Sequence, residues 1–451
     1  MTIERKYFGT DGIRGQANRE PLTPQTLARL GQAIGLHFMR GNHRHRVVIG
    51  KDTRLSGYMV ESALASGFVS VGMDVATVGP MPTPAVAMLT RSMRADLGVM
   101  ISASHNLFSD NGIKLFDPDG FKLSDGVEKE IENRLEGPLV LAAPPSLGQM
   151  VHLDDAIGRY VEFVKGSLPR HTQFDGLRIV VDCANGAAYK AAPLVLKELG
   201  ATVIPLAIFP NGQNINDTCG ATAPQKMCAA VRQEKAHVGL AFDGDADRVV
   251  FADEKGTLVD GDQIMALMAT YWQDEGLLQG KGVVATHMSN LGFERYLNLR
   301  GLNLIRTPIG DRYVIEAMRD TGCNLGGESS GHVILSDYAT SGDGLLTALQ
   351  VLLVLKLKQQ EASKMLNVFK ALPQVLKNVK LSPLLLELAE AQTAIELARK
   401  KLENTGRLLV RPSGTEALIR IMAEAEDETF ARDVVDSIAQ TLTDLSKENV
   451  A

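Results

Sequence analysis

Ser102-Ala103-Ser104-His105-Asn106 directly follows the apolar run Leu97 to Ile101. A serine in such a place ordinarily caps a helix. Here His105 adjoins the hydroxyl, and Asn111-Gly112-Ile113-Lys114 soon brings a cation to the same end of the sheet. That is the company a phosphorylated Ser104 needs, because phosphate adds nearly two negative charges. A second stretch, Asp243-Gly244-Asp245-Ala246-Asp247-Arg248, lies between the strand-like Val238 to Phe242 and Val249 to Ala252. Carboxylates alternating with small residues converge on one hard cation while the backbone turns tightly. A calcium helix-loop-helix is the sharpest rival, since Asp243, Asp245, Asp247 and Glu254 fall at its ligand positions. Arg248 stands where its turn glycine belongs, and strands flank the loop, so Mg²⁺ is the favoured ion. Mg²⁺ takes few carboxylates and completes its shell with phosphate and water, so a phosphoserine would supply the missing ligand.

Two further loops follow strand-like runs. In Gly327-Glu328-Ser329-Ser330-Gly331-His332, glycines bracket groups that suit sugar hydroxyls; the plainer reading is a turn with surface polar groups. In Arg411-Pro412-Ser413-Gly414-Thr415-Glu416, Arg, Ser and Thr around a glycine suit an anion nest, with Arg420 as a second fork; a strand-linking turn is the plainer reading. Gly50-Lys51-Asp52-Thr53 lacks the residues of a nucleotide P-loop, and no Gly-x-Gly-x-x-Gly follows a first strand. His37, His43, His45 and His287 show no partner pattern and read as solvated or core residues.

These loops need a scaffold. Short β-branched runs alternate with helical patterns, the habit of parallel sheets with crossover helices, whose ligands bind at the carboxyl ends of the strands. The pattern predicts strands at 47–49, 75–78, 97–101, 178–181, 201–204, 238–242, 249–252, 283–286 and 302–306. It predicts helices over 59–71 and after Asp343. Past Pro373 the habit changes to strands at 375–379, 407–410 and 418–423 with a Leu/Ala/Glu-rich helix and a final helix from Asp427, a small α+β domain. The 451 residues exceed one core. The expected divisions are 1–153, with the phosphoserine loop; 154–254, with the metal loop; 255–368, with the sugar loop; and 369–451, with the phosphate loop. A net charge of −6 argues against coating nucleic acid or an anionic membrane. Four scattered cysteines and a charged beginning without a secretory pattern favour the cytoplasm. The apolar run 344–357 is too short to span a bilayer.

The four loops, in this order from Phe8 to about Met422, resemble the α-D-phosphohexomutase superfamily. The resemblance implies three similar mixed α/β sheet domains and a smaller C-terminal α+β domain around a central cleft. Ser104 would be the phosphoserine, and its phosphate with Asp243, Asp245 and Asp247 would hold one Mg²⁺ per subunit. Arg14, Lys114 and Arg248 would lie beside the transferring phosphate. Glu328 and Ser330 would hold sugar hydroxyls, and Arg411, Ser413, Gly414, Thr415 and Arg420 would grip the phosphate that stays. The acid and base are sought among His105, Lys114 and His332. Phe8-Gly9-Thr10-Asp11-Gly12-Ile13-Arg14-Gly15, Pro210 to Asn216 and Gly310-Asp311-Arg312-Tyr313-Val314 resemble the branch acting on hexosamine phosphates. That branch implies exchange between glucosamine 6-phosphate and glucosamine 1-phosphate through a 1,6-bisphosphate, feeding UDP-N-acetylglucosamine and cell-wall synthesis. Glucosamine or glucose 1,6-bisphosphate would be the primer, a kinase or self-phosphorylation would load Ser104, and a homodimer is implied. A glucose or mannose phosphate substrate is the nearest rival, and a non-catalytic sugar-phosphate sensor the rival of another class. Leu107, Ala246, Ser329 and Ala417 depart from the family's usual residues.

Overall fold

The computed structural model describes residues 6–9, 11–403, 405–412 and 418–448. The chain falls into two compact units, 1–286 with 307–368, and 287–306 with 369–451.

In the first unit one sheet runs in the order Phe8–Gly9, Gly12–Gln16, Asp110–Phe116, Leu97–Ile101, Arg46–Lys51, Asp74–Pro80, Met150–His152. Leu97–Ile101 and Arg46–Lys51 are parallel, and Val47 to Ile49 and Leu97 to Ile101 are fully buried, as strands covered by helices on both faces must be. Helices Pro24–Phe38 and Gly57–Ser70 close one face over Leu27, Leu30, Val60, Leu64 and Phe68. Asp110–Phe116 runs antiparallel to Leu97–Ile101, pairing Lys114 with Met100. The sheet is therefore mixed, as the resemblance implied, and its antiparallel return brings Lys114 back alongside the strand that leads to Ser104.

The second sheet repeats the plan. Thr202–Leu206, Arg178–Asp182 and Val238–Phe242 are parallel, and Val249–Asp253 turns back antiparallel to Val238–Phe242. In a third sheet Leu325–Gly327 pairs parallel with Gly282–Thr286 and antiparallel with Val333–Leu335. In each sheet a chemical loop links a buried strand to its antiparallel partner. The helix Gly344–Lys358 is buried from Gly344 to Leu355 and starts on Asp343, whose side chain accepts the Leu346 N–H.

In the second unit Ile419–Ala425 pairs antiparallel with Gln374–Val379 and Gly406–Pro412. Helices Ala389–Leu402 and Glu428–Glu448 cover it through Ile395, Leu402, Val435, Ile438 and Leu442. The helix Leu291–Leu299 packs here as well, its Phe293 ring stacked 5.7 Å from Phe369. No helix among the described residues is long and apolar enough to cross a membrane.

Candidate active site

Ser104 is fully buried and holds a left-handed φ of 52°, a strained state for a residue with a side chain. No helix begins there, so it is not a cap. Its Oγ donates to Asp243 Oδ2 at 2.7 Å, and His105 Nδ1 lies 3.4 Å away. The loop is held from beneath. Ser104 N–H donates to Ser102 Oγ at 2.9 Å, and that hydroxyl donates to Asp52 Oδ2 at 2.6 Å. Asp52 also accepts Arg54 Nε at 2.8 Å. Arg54, with no exposed surface, donates to the carbonyls of Ser104 at 2.9 Å, Asn106 at 2.8 Å and Asp110 at 3.1 Å, and to that of Leu107. Asn216 Nδ2 reaches the Ser104 and Asn106 carbonyls at 2.9 Å each.

The Asp243 loop turns between antiparallel strands with Ala246 at a φ of 59°, where glycine would be unstrained. A side chain at Gly244 would run into the Ser104 carbonyl, so this loop lies directly against the serine loop. Asp243, Asp245 and Asp247 are buried, each offering one carboxylate oxygen within 4.8 Å of the others. Lys114 Nζ donates to Asp245 Oδ2 at 2.8 Å and Asp247 Oδ2 at 3.0 Å, and Thr83 Oγ1 donates to Asp245 Oδ2 at 2.5 Å. Asp245 Oδ1 and Asp247 Oδ1 are buried with no hydrogen-bond partner. Burial, then the charges of Asp247 and Asp245, push the Asp243 carboxyl well above the usual range. Orphaned oxygens and mutually repelling carboxylates in a dry site are the signature of a place built for a cation, and hard oxygen donors suit a hard ion. Glu254 is not part of it: its carboxylate accepts the N–H and hydroxyl of Ser363, at 2.8 and 2.5 Å, which removes the calcium helix-loop-helix.

Buried charges ring the cluster. Asp11 pairs with Arg14 and Lys122 and lies 3.5 Å from Lys114. Lys122 reaches Asp311 at 2.6 Å, and His332 sits between Asp311 at 3.3 Å and Asp247 at 3.7 Å. Burial alone would lower the His332 ring, but Asp247 and Asp311 outweigh it and raise it to about 10. Burial likewise works against Lys114, yet Asp11, Asp245 and Asp247 hold it charged. His105 differs. Burial, then Arg248 and Arg14, lower it to about 4, leaving a neutral ring beside the hydroxyl.

Arg248 follows the carboxylates, its backbone N–H on Asp243 Oδ1 at 3.2 Å and its buried Nε, without a hydrogen bond, 3.8 Å from Asp247 Oδ1. The Glu328 loop joins the same place. Val249 N–H donates to the Gly331 carbonyl at 3.1 Å, and a side chain at Gly331, φ 92°, would collide with Val249. Ser330 Oγ donates to Glu328 Oε2 at 3.1 Å, and both residues are half-buried. The first unit thus brings Ser104, His105, Asp243, Asp245, Asp247, Arg248, Glu328, Ser330 and His332 together in neighbouring loops, with Arg14 and Lys114 on the strands Gly12–Gln16 and Asp110–Phe116 beside them.

In the second unit Arg411 and Arg420 are directly opposite on paired strands, and each has a buried Nε without a hydrogen-bond partner among the described residues. Burial and then Arg420 lower the Arg411 guanidinium, as expected of like charges held side by side. Ser413, Gly414 and Thr415 lie outside the described residues. His287, which the sequence left without company, is lowered by burial and then by Arg306, Arg407 and Arg411. Sequence reasoning also missed Asp11, Asp52, Arg54, Lys122 and Asp311. Asp52 and Arg54 were findable, since they follow the strand Arg46–Lys51 as the other chemical loops follow theirs.

A hydroxyl buried against clustered carboxylates and cations, at the carboxyl ends of α/β sheets, defines a phosphoryl-transfer enzyme. Four family models match in sequence: Phosphoglucomutase/phosphomannomutase, alpha/beta/alpha domain I over residues 5–138, domain II over 158–256, domain III over 260–372 and the C-terminal domain over 376–441. The chain belongs to this phosphohexomutase family. A phosphoglucosamine mutase of Rhodospirillum centenum is 60% identical, the match covering 97% of this chain and 94% of that one. Among solved structures, a phosphoglucomutase/phosphomannomutase family protein from Burkholderia thailandensis has a TM-score of 0.81 at 24% identity, covering 97% of both chains. N-acetylphosphoglucosamine mutase from Aspergillus fumigatus, in complex with GlcNAc-6P and magnesium, has a TM-score of 0.68 at 18% identity, covering 98% of this chain and 96% of that one.

Proposed function

We propose that this chain is a phosphoglucosamine mutase, interconverting glucosamine 6-phosphate and glucosamine 1-phosphate through phospho-Ser104. The supporting observation is the Ser104 hydroxyl donating to Asp243 inside the Asp243, Asp245 and Asp247 cluster. The amino sugar is supported by the 60% identity to the Rhodospirillum centenum phosphoglucosamine mutase.

The phosphoryl group passes from Ser104 to O1 of glucosamine 6-phosphate, breaking the serine O–P bond as the sugar O–P bond forms. Of His105, Lys114 and His332, among which acid and base are sought, the neutral His105 can accept the proton of the attacking hydroxyl, while the charged Lys114 and His332 can give one to the leaving oxygen. The 1,6-bisphosphate turns over, its 6-phosphoryl returns to Ser104, and glucosamine 1-phosphate leaves, a precursor for UDP-N-acetylglucosamine and cell-wall synthesis. Positioning and cations do most of this work, because the transferring group carries its charge on three equatorial oxygens. Arg248, Lys114 and Arg14 supply fixed positive charge; Glu328 and Ser330 hold sugar hydroxyls; Arg411 and Arg420, with Ser413, Gly414 and Thr415, take the phosphate that stays. Asp243, Asp245, Asp247 and the serine phosphate would hold Mg²⁺, which would supply further charge neutralisation. The phosphoserine is first loaded by a glucosamine or glucose 1,6-bisphosphate primer, by self-phosphorylation or by a kinase, in a cytoplasmic enzyme that forms a homodimer.

Turnover of glucosamine, glucose and mannose 6-phosphates with Mg²⁺ and bisphosphate primer tests the substrate. Glucosamine 6-phosphate is expected to be fastest, and faster mannose 6-phosphate would overturn that choice. Ser104→Ala is expected to lose mutase activity; retained activity would overturn the phosphoserine.

A further inference from the structure

The far end of the first sheet gathers a second group of ligand-type side chains, among histidines the sequence left without partners. His43 and His45 are two apart just before the strand Arg46–Lys51, a spacing that puts both on one side of an extended chain. Asp96 stands before the parallel neighbour Leu97–Ile101, in which Leu97 faces Val47. His43 Nε2 lies 2.8 Å and His45 Nδ1 3.1 Å from the same atom, Asp96 Oδ1. The ring centroids are 4.1 Å apart. Asp96 cannot swing away, because its Oδ2 accepts the Arg46 N–H at 2.8 Å and its own N–H donates to the Arg46 carbonyl at 2.9 Å. The intervening Arg44 is engaged elsewhere, on both carboxylate oxygens of Asp74 at 2.8 and 2.7 Å.

We propose that His43, His45 and Asp96 form a binding site for one divalent transition-metal ion of the zinc class, with a fourth position left to water. Two imidazole nitrogens and a carboxylate are the ligand set of open zinc sites, whose metal–ligand bonds of about 2.0–2.2 Å put neighbouring donor atoms roughly 3.3 Å apart. The separations from Asp96 Oδ1 need to open by only a few tenths of an ångström. The backbone N–H on Asp96 Oδ2 supplies the orienting contact that metal-bound carboxylates use. Imidazole ligands select zinc, cobalt, nickel or copper over Mg²⁺. His45 is buried while the His43 side chain is 56% exposed, so an ion enters from solvent without opening the core. The strand between Asp96 and the serine loop puts about 20 Å between this place and Ser104. The ion therefore clips residues 43–45 to the sheet without touching the reaction.

Titrating the full-length protein with Co²⁺ in saturating Mg²⁺ tests this. The wild type is expected to take up one Co²⁺ per chain with visible ligand-field absorption, to release it to Zn²⁺, and to melt at higher temperature with either ion bound. His43→Ala, at an exposed position, and Asp96→Asn are expected to weaken Co²⁺ at least tenfold with the Mg²⁺-dependent mutase rate unchanged. Asp245→Asn, in the other carboxylate cluster, is expected to keep the Co²⁺ equivalent. A wild type that binds no Co²⁺ beyond what Mg²⁺ displaces, or a His43→Ala protein that binds it as tightly as wild type, would overturn the site and leave a purely hydrogen-bonded triad.

Discussion

Ser104 owes its strained backbone to Arg54, whose guanidinium gathers the carbonyls of Ser104, Asn106, Leu107 and Asp110 while Asp52 fixes its other edge. Such a fork of donors has no lysine equivalent, since an ammonium is a point charge with three rotatable donors. Arg54→Lys is therefore expected to let the serine loop drift. Misplacement of a reacting group by an ångström costs about 10²-fold, so kcat should fall by that order with KM little changed, in steady-state assays below the melting temperature. A KM effect without a kcat effect would assign Arg54 to binding instead. Ser104 and the three aspartates were legible in the sequence because each sits in a short local pattern. Arg54 holds its carbonyls 50 to 56 positions away, and Asp11, Lys122 and Asp311 pair across 111 to 189 positions, which no local spacing announces.

Elements were more legible than single residues wherever apolar runs were continuous. Leu97–Ile101 and Val238–Phe242 were read with their observed limits, and the buried helix after Asp343 was expected. Asp110–Phe116 was not seen as a strand, because Asn111-Gly112 reads as a turn signal; burial and pairing on both sides override that propensity. Its antiparallel direction went unread in the pattern, although the resemblance implied mixed sheets. The helix Gly344–Lys358 carries a pH signature at its N-cap. Asp343 caps the helix and accepts the Tyr160 hydroxyl at 2.8 Å, but its Oδ2 is buried without a partner. Burial raises its carboxyl from 3.8 to about 6. A raised acid contributes stability below its unfolded value, near 4, that is lost as pH climbs through 6, a loss on the order of 3 kcal/mol. Asn keeps the cap and the tyrosine contact without the charge. Asp343→Asn is thus expected to match wild type near pH 4 and exceed its stability at pH 8, in urea unfolding without added metal. Parallel pH profiles for the two proteins would show that Asp343 does not titrate in this window.

At the scale of the molecule, the tail is joined to a piece of chain from well before it. The buried Glu424 accepts Leu291 N–H at 3.1 Å, Gln374 Nε2 at 2.8 Å and Arg407 Nε at 3.0 Å. Arg407 also holds the carbonyls of His287 and Ser289, at 2.7 and 2.9 Å. Phe293 is fully buried, with Phe369 stacked on it. A sequence reader places 287–306 with the third α/β stretch, because strand and helix alternate without a break there. The side chains of Glu424 and Arg407 tie that segment to residues beyond 368. Cutting the chain after Val368 therefore removes these contacts. It strips Phe293 of its ring partner and leaves the Leu291 N–H and the His287 and Ser289 carbonyls without their tail partners. Newly exposed aromatic and aliphatic surface of this kind drives association. The chain ending at Val368 is expected to aggregate on expression or, where soluble, to bind a hydrophobic dye and melt well below the full-length protein. A soluble, dye-free truncated chain with an unchanged melting temperature would mean that 287–306 draws its stability from the α/β unit, and that the contacts to Glu424, Arg407 and Phe369 are dispensable.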